Sequence, residues 1–167
     1  GDMSQFKVRG TFDLGHCLVS TFKYLRTEDA ARGHLESVAE ALRPGGIYAL
    51  GFHLTDYADT KKNVERWRVQ RDGADVRCSI TGWPADRRTR LEKVRSRFHV
   101  TDQGRELRSE THWQFRTYDA RQVRALLRSV PALEHIATYD FLYEIDEPQR
   151  FSDEQCDTLL ILRRRGQ

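Results

Sequence analysis

Residues 12 to 54 constrain the chain more than any other stretch, because they read as strand, helix, turn and strand in close succession. Phe12 to Val19 (FDLGHCLV) is a short, mostly apolar run of the kind that a sheet buries. Thr27 then stands where a helix cap is needed, with Glu28 and Asp29 in the first turn, at the positive end of the helix dipole. Leu35, Val38, Ala39 and Leu42 repeat at the i, i+3, i+4, i+7 spacing of an amphipathic helix. Arg43-Pro44-Gly45-Gly46 ends it, and Ile47 to Leu54 (IYALGFHL) is a second apolar strand. Two such strands joined through a helix pair in parallel by a right-handed crossover, so the expected class is α/β.

Beyond residue 63 the pattern changes from blocks to alternation. Val76, Cys78 and Ile80 face one way, with Arg77, Ser79 and Thr81 opposite. Val94 and Phe98 oppose Lys93, Arg95, Arg97 and His99, and Leu107, Thr111, Trp113 and Phe115 oppose Arg108, Glu110, His112, Gln114 and Arg116. Asp72-Gly73 and Asp102-Gln103-Gly104 are hairpin turns. Residues 64–118 therefore read as an antiparallel insertion with one buried face, set between a first core segment, 1–63, and a closing segment, 119–167. That closing segment holds a helix from Asp119 to Ser129 (stripe Val123, Leu126, Leu127), then strands near Leu133 to Tyr139 and Asp157 to Arg163, with an acidic loop between them.

Composition excludes several classes of function. A formal charge of +3 from 28 basic and 25 acidic residues is too balanced for a nucleic-acid surface. The Arg-rich strand face is interleaved with Glu92, Glu106 and Glu110, which also argues against tracking phosphates. No apolar run nears the roughly 20 residues of a membrane span. Cys17, Cys78 and Cys156 are odd in number and far apart, so neither a disulfide framework nor a zinc site is expected, and a reducing, cytoplasmic setting is the default. No metal is expected. The nucleophile-elbow, zinc-protease, phosphate-loop and dinucleotide glycine patterns are all missing from these residues.

Four landmarks together carry a resemblance. Gly1-Asp2-Met3, Phe12-Asp13-Leu14, Ser20-Thr21-Phe22-Lys23-Tyr24-Leu25 and Leu42-Arg43-Pro44-Gly45-Gly46 stand in the order and spacing seen in class I S-adenosylmethionine-dependent methyltransferases. The chain is most similar to the C-terminal part of their small-molecule branch, which includes sugar N-methyltransferases. The resemblance implies a partial doubly wound, Rossmann-like sheet with residues 64–118 as a substrate cover. It implies S-adenosylmethionine as cofactor, methyl transfer to an N or O atom of a small molecule, and neither nucleic acid nor membrane as partner.

The resemblance also assigns residues. Asp2 would accept a hydrogen bond from the adenine amino group with Met3 beside the ring, and Cys17 and Leu18 would face the methionine portion. Tyr24 matches a tyrosine of the family and would line the acceptor pocket. From position in the chain, His53 at the end of its strand is the candidate base, and Trp67, Arg116 and Tyr118 are candidates to meet the acceptor, with a solvated charge the alternative for Arg116. Packing roles for Tyr24, Cys17 and His53 stay open on the residues alone. The glycine-rich loop of this family would precede Gly1. The strand from Phe12 to Val19 is therefore expected to seek a second copy or a companion chain, and a non-catalytic module that works by such pairing is the alternative function.

Overall fold

The computed structural model describes residues 1–166, which form two compact units: Gly1–Asp56 together with the chain from Arg116 onward, and Tyr57–Phe115. In the first unit a four-stranded mixed sheet runs in the order β1-β2-β8-β7, with β1 at Phe12–Cys17, β2 at Leu42–His53, β7 at Leu133–Tyr139 and β8 at Asp157–Arg164. β1 and β2 are parallel, as a helical crossover requires, and β8 runs antiparallel to both β2 and β7.

Helix α1, Glu28–Ala41, supplies that crossover. The Thr27 hydroxyl accepts from the Ala30 backbone N–H, satisfying one orphan donor of the first turn. Its expected stripe is buried, with Leu35, Val38 and Ala39 at most 5% exposed. The helix ends one residue early: Leu42, also buried, opens β2, which runs through the Arg43-Pro44-Gly45-Gly46 segment expected to be a turn. Burying a leucine such as Leu35 contributes about 2 kcal/mol. Helix α2, Ala120–Arg128, opens with a reciprocal capping box between Asp119 and Gln122 and buries Val123 and Leu126. Phe22, Phe52 and Tyr118 form the aromatic centre of this core, with ring centroids 5.6 to 6.0 Å apart.

The first strand is shorter than its apolar run. β1 stops at Cys17, and Val19 and Ser20 turn left-handed, with φ of 52° and 64°, into a 3₁₀ turn over Thr21–Tyr24. Left-handed backbone is a steric outlier for a β-branched residue. The turn is secured from the neighbouring strand, where the Gly51 carbonyl accepts from Ser20 N at 3.1 Å.

The second unit is an antiparallel meander, β3 (Asn63–Arg71), β4 (Ala74–Gly82), β5 (Leu91–Asp102) and β6 (Arg105–Arg116), in that order. Both tight turns are where the sequence puts them. Asp72 and Gly73, and Gln103 and Gly104, carry successive positive φ angles, the backbone that a two-residue hairpin demands. The apolar face is less fully buried than its alternation suggests. Cys78 and Val94 are buried, while Trp67, Val69, Phe98 and Leu107 are exposed. The unit contains one sheet layer, and a single layer does not cover its own face.

Candidate functional site

Parallel strands of an open α/β sheet present ligands with their carboxyl ends. At that edge of the first unit stand Cys17, Leu18 and the strained Val19-Ser20 turn after β1, and His53 at the last position of β2. Backbone held in a sparsely populated region costs about 1–3 kcal/mol and persists where surrounding contacts over-determine it. Here those contacts tie the turn to β2 twice: Ser20 N donates to Gly51 O, and Ser20 Oγ accepts from His53 N at 3.4 Å.

The β2–β8 ladder sets Asp157 opposite His53. The two side chains meet, with His53 Nδ1 2.6 Å from Asp157 Oδ1, and each is nearly half exposed. A carboxylate bonded to one ring nitrogen fixes the tautomer and leaves the other to act on a ligand. The Phe141 ring packs on His53 at 5.1 Å between centroids, and Tyr143 stacks on Phe141. Cys156 completes the group. Burial first, and then the Asp157 carboxylate, push its thiol pKa up, against the Lys23 ammonium. Asp157 and Cys156 escape sequence reasoning because strand pairing alone brings them beside His53, about a hundred residues away in the chain.

A second constellation lies along α1. Asp2 Oδ1 accepts from Ser4 N at 2.8 Å, and this bond, with a further one from the Ser4 side chain, holds that carboxyl below its usual range. The Met3 carbonyl accepts from His34 Nδ1 at 2.7 Å, and Phe6 N donates to Ser37 Oγ at 3.1 Å. Gly33 lets this segment lie so close, since a Cβ there would stand 2.7 Å from the Ser4 carbonyl oxygen. With Nδ1 donating, the His34 Nε2 accepts from the Tyr48 hydroxyl at 2.6 Å, and that hydroxyl also reaches the Cys17 thiol. Met3 and Cys17, both expected at the cofactor, are thus linked through two buried side chains that the sequence did not single out. Burial pushes the Cys17 and Tyr48 pKa values up and that of His34 down.

The other expected residues are distributed differently. Tyr24 is half exposed, in the 3₁₀ turn after β1. Arg116 is buried, and its guanidinium donates to Glu28 Oε2 at 2.7 Å and to the Arg26 carbonyl at 3.0 Å. Tyr118 is wholly enclosed by the aromatic core. Trp67 belongs to the second unit, where register aligns it with Cys78 and Phe98 along an open concavity of about 760 Å³. Arginines on that unit's strands are largely committed: Arg68 and Arg77 to Asp75, Arg97 to Glu110, and Arg108 to Glu106.

No protein-family model matches the chain, and no curated protein matches it in sequence. Solved structures match it closely in fold. An S-adenosylmethionine-dependent methyltransferase from Clostridium acetobutylicum ATCC 824 superposes with a TM-score of 0.76 at 16% identity, over 99% of this chain and 63% of that one. CalS10, an amino pentose methyltransferase of calicheamicin biosynthesis from Micromonospora echinaspora, gives 0.76 at 18% identity, over 98% and 63%. The sugar N-methyltransferase KedS8 from Streptoalloteichus sp. ATCC 53650 gives 0.76 at 16%, over 99% and 61%. The chain spans less than two thirds of the length of each of these structures, and across nearly all of its own length it has the α/β fold of the S-adenosylmethionine-dependent methyltransferases.

Proposed function

We propose that this chain belongs to an enzyme that moves a methyl group from S-adenosylmethionine to an N or O atom of a small molecule. The observation that carries the reading is the fold likeness to CalS10 and KedS8 over almost the whole chain. The groups expected at the cofactor fit it chemically: a carboxylate oxygen on Asp2 suits an exocyclic amine, and apolar Cys17 and Leu18 suit the aliphatic chain beside the sulfonium. Bound there, S-adenosylmethionine supplies a sulfonium methyl group.

The work left to the chain is alignment, exclusion of water and removal of one proton. The Val19-Ser20 turn holds the end of β1 in one conformation. His53 takes the proton that an amine or hydroxyl acceptor sheds, with Asp157 fixing the ring. Tyr24 lines the acceptor side, and Trp67, on the second unit, offers an exposed indole.

Titration calorimetry with S-adenosylmethionine tests the reading. Saturable uptake of one equivalent, weakened by about tenfold when Asp2→Ala removes a single hydrogen bond, supports it. No saturable heat at millimolar ligand overturns it. The exposed edge of β1 favours a second reading, a non-catalytic module that pairs with another chain. Pairing without any cofactor uptake is its signature.

A further inference from the structure

Three donor atoms of different chemistry meet where β2 ends and β8 begins, and the methyl-transfer reading leaves one of them, the thiol, without a task. A ring nitrogen of His53, the sulfur of Cys156 and a carboxylate oxygen of Asp157 all lie within 4.8 Å of one another. We propose that His53, Cys156 and Asp157 form a three-ligand site for a divalent transition metal ion of the zinc class, with its fourth position open to water or a small ligand.

The scaffold for this site is already rigid. His53 and Asp157 are partners in the β2–β8 ladder. Cys156 is pinned beside them, its carbonyl accepting from Leu54 N at 2.8 Å and its sulfur 3.9 Å from the Leu54 oxygen. Nitrogen and oxygen ligands at about 2.0–2.2 Å and sulfur at about 2.3 Å put tetrahedral donors about 3.5 Å apart. The pair at 2.6 Å has to open by about 1 Å, within side-chain rotation at an exposed strand end.

Donor type selects the ion. One nitrogen, one sulfur and one carboxylate suit zinc or cobalt, whereas magnesium and calcium take oxygen donors. A thiolate and a carboxylate together offset the charge of a divalent cation, and the thiol proton leaves to solvent on binding. Burial and the Asp157 carboxylate hold the proton on the thiol against the Lys23 ammonium, and that ammonium also repels the cation, so binding is weaker than at a closed, four-ligand structural zinc site. The ion would take His53 from Asp157, so metal uptake and proton acceptance by His53 exclude each other. The site itself does not depend on the methyl-transfer reading.

Cobalt titration of the reduced protein tests it. One equivalent of Co²⁺ is expected to raise a thiolate-to-cobalt charge-transfer band and visible bands of four-coordinate intensity, all bleached by Zn²⁺. Cys156→Ser should abolish the charge-transfer band, and His53→Gln and Asp157→Asn should each weaken binding at least about tenfold. In the unsubstituted protein, Zn²⁺ should also shield Cys156 from alkylation by iodoacetamide, read by mass spectrometry. Absence of the band, its persistence in Cys156→Ser, unchanged affinity in His53→Gln or unshielded alkylation would each overturn the proposal.

Discussion

His34 and Tyr48 share a hydrogen bond of 2.6 Å inside the first unit, and its direction is fixed by a third group. The Met3 carbonyl accepts from His34 Nδ1, so Nε2 carries no proton and accepts from the phenol. The pair works only while the imidazole is neutral. One side chain thereby ties the segment before β1 to the strand β2 beneath it.

This gives a pH dependence with a definite sign. Burial lowers the His34 pKa in the folded protein below the ordinary value of 6.5. The unfolded chain therefore takes up its proton first as pH falls. The stabilisation is whole above pH 6.5 and is lost progressively as pH drops below it. Thermal melts between pH 8 and pH 5 should show the midpoint falling over that window. His34→Gln, which bonds without titrating, should cost about 1–2 kcal/mol at pH 7.5 yet flatten the slope. An equally steep slope in the variant would assign the effect to other groups.

Val19→Gly should leave stability unchanged or raise it by up to about 1 kcal/mol. Glycine removes the strain of a left-handed β-branched residue, while its extra unfolded-state freedom returns part of the gain. Val19 is 70% exposed, so little packing is forfeited. Urea unfolding decides it, and a loss above about 1 kcal/mol would mean the isopropyl group packs after all.

Gly33→Ala should loosen the segment before β1, although alanine improves helix propensity by about 1 kcal/mol. The added methyl would meet a backbone oxygen at 2.7 Å, which cannot swing aside as a side chain can. Faster hydrogen exchange at Phe6 N, with α1 amides unchanged, is the expected readout.

Much of this architecture was legible in the sequence, and the reasons differ by element. Thr27 and the stripe from Leu35 to Leu42 placed α1, and the two hairpin turns placed the meander, because those signals are local. The end of β1 was not legible: Leu18 and Val19 look like strand, and only the bonds of Ser20 to Gly51 and His53 bend the chain there. Arg116 reads as a surface charge on an alternating strand, yet Glu28 and the Arg26 carbonyl draw it inward. Asp157 and Cys156 acquire meaning from strand register alone.

The free side of β1 should promote association. It is the sheet's outermost strand, with Phe12, Leu14 and Val19 exposed beside a groove of about 200 Å³ lined by Phe6 and Val8. An apolar edge invites another strand, and Asp13, held by Arg43, is the one acidic charge on it. Sedimentation should reveal association at tens of micromolar, lessened by Leu14→Lys. A monomer at every concentration, with or without the lysine, would remove this expectation.

One backbone bond bears on how such a protein changes over time. The chain leaves the first unit after Asp56 and re-enters it at Arg116, and on either side of that excursion Thr55 N donates to Tyr118 O at 2.8 Å. The host unit therefore closes its own seam, whatever is threaded between the two ends. Closing a longer or shorter excursion across a seam already sealed costs little extra entropy. The meander is in effect a replaceable cassette: a lineage could exchange it wholesale while the host framework kept its stitching.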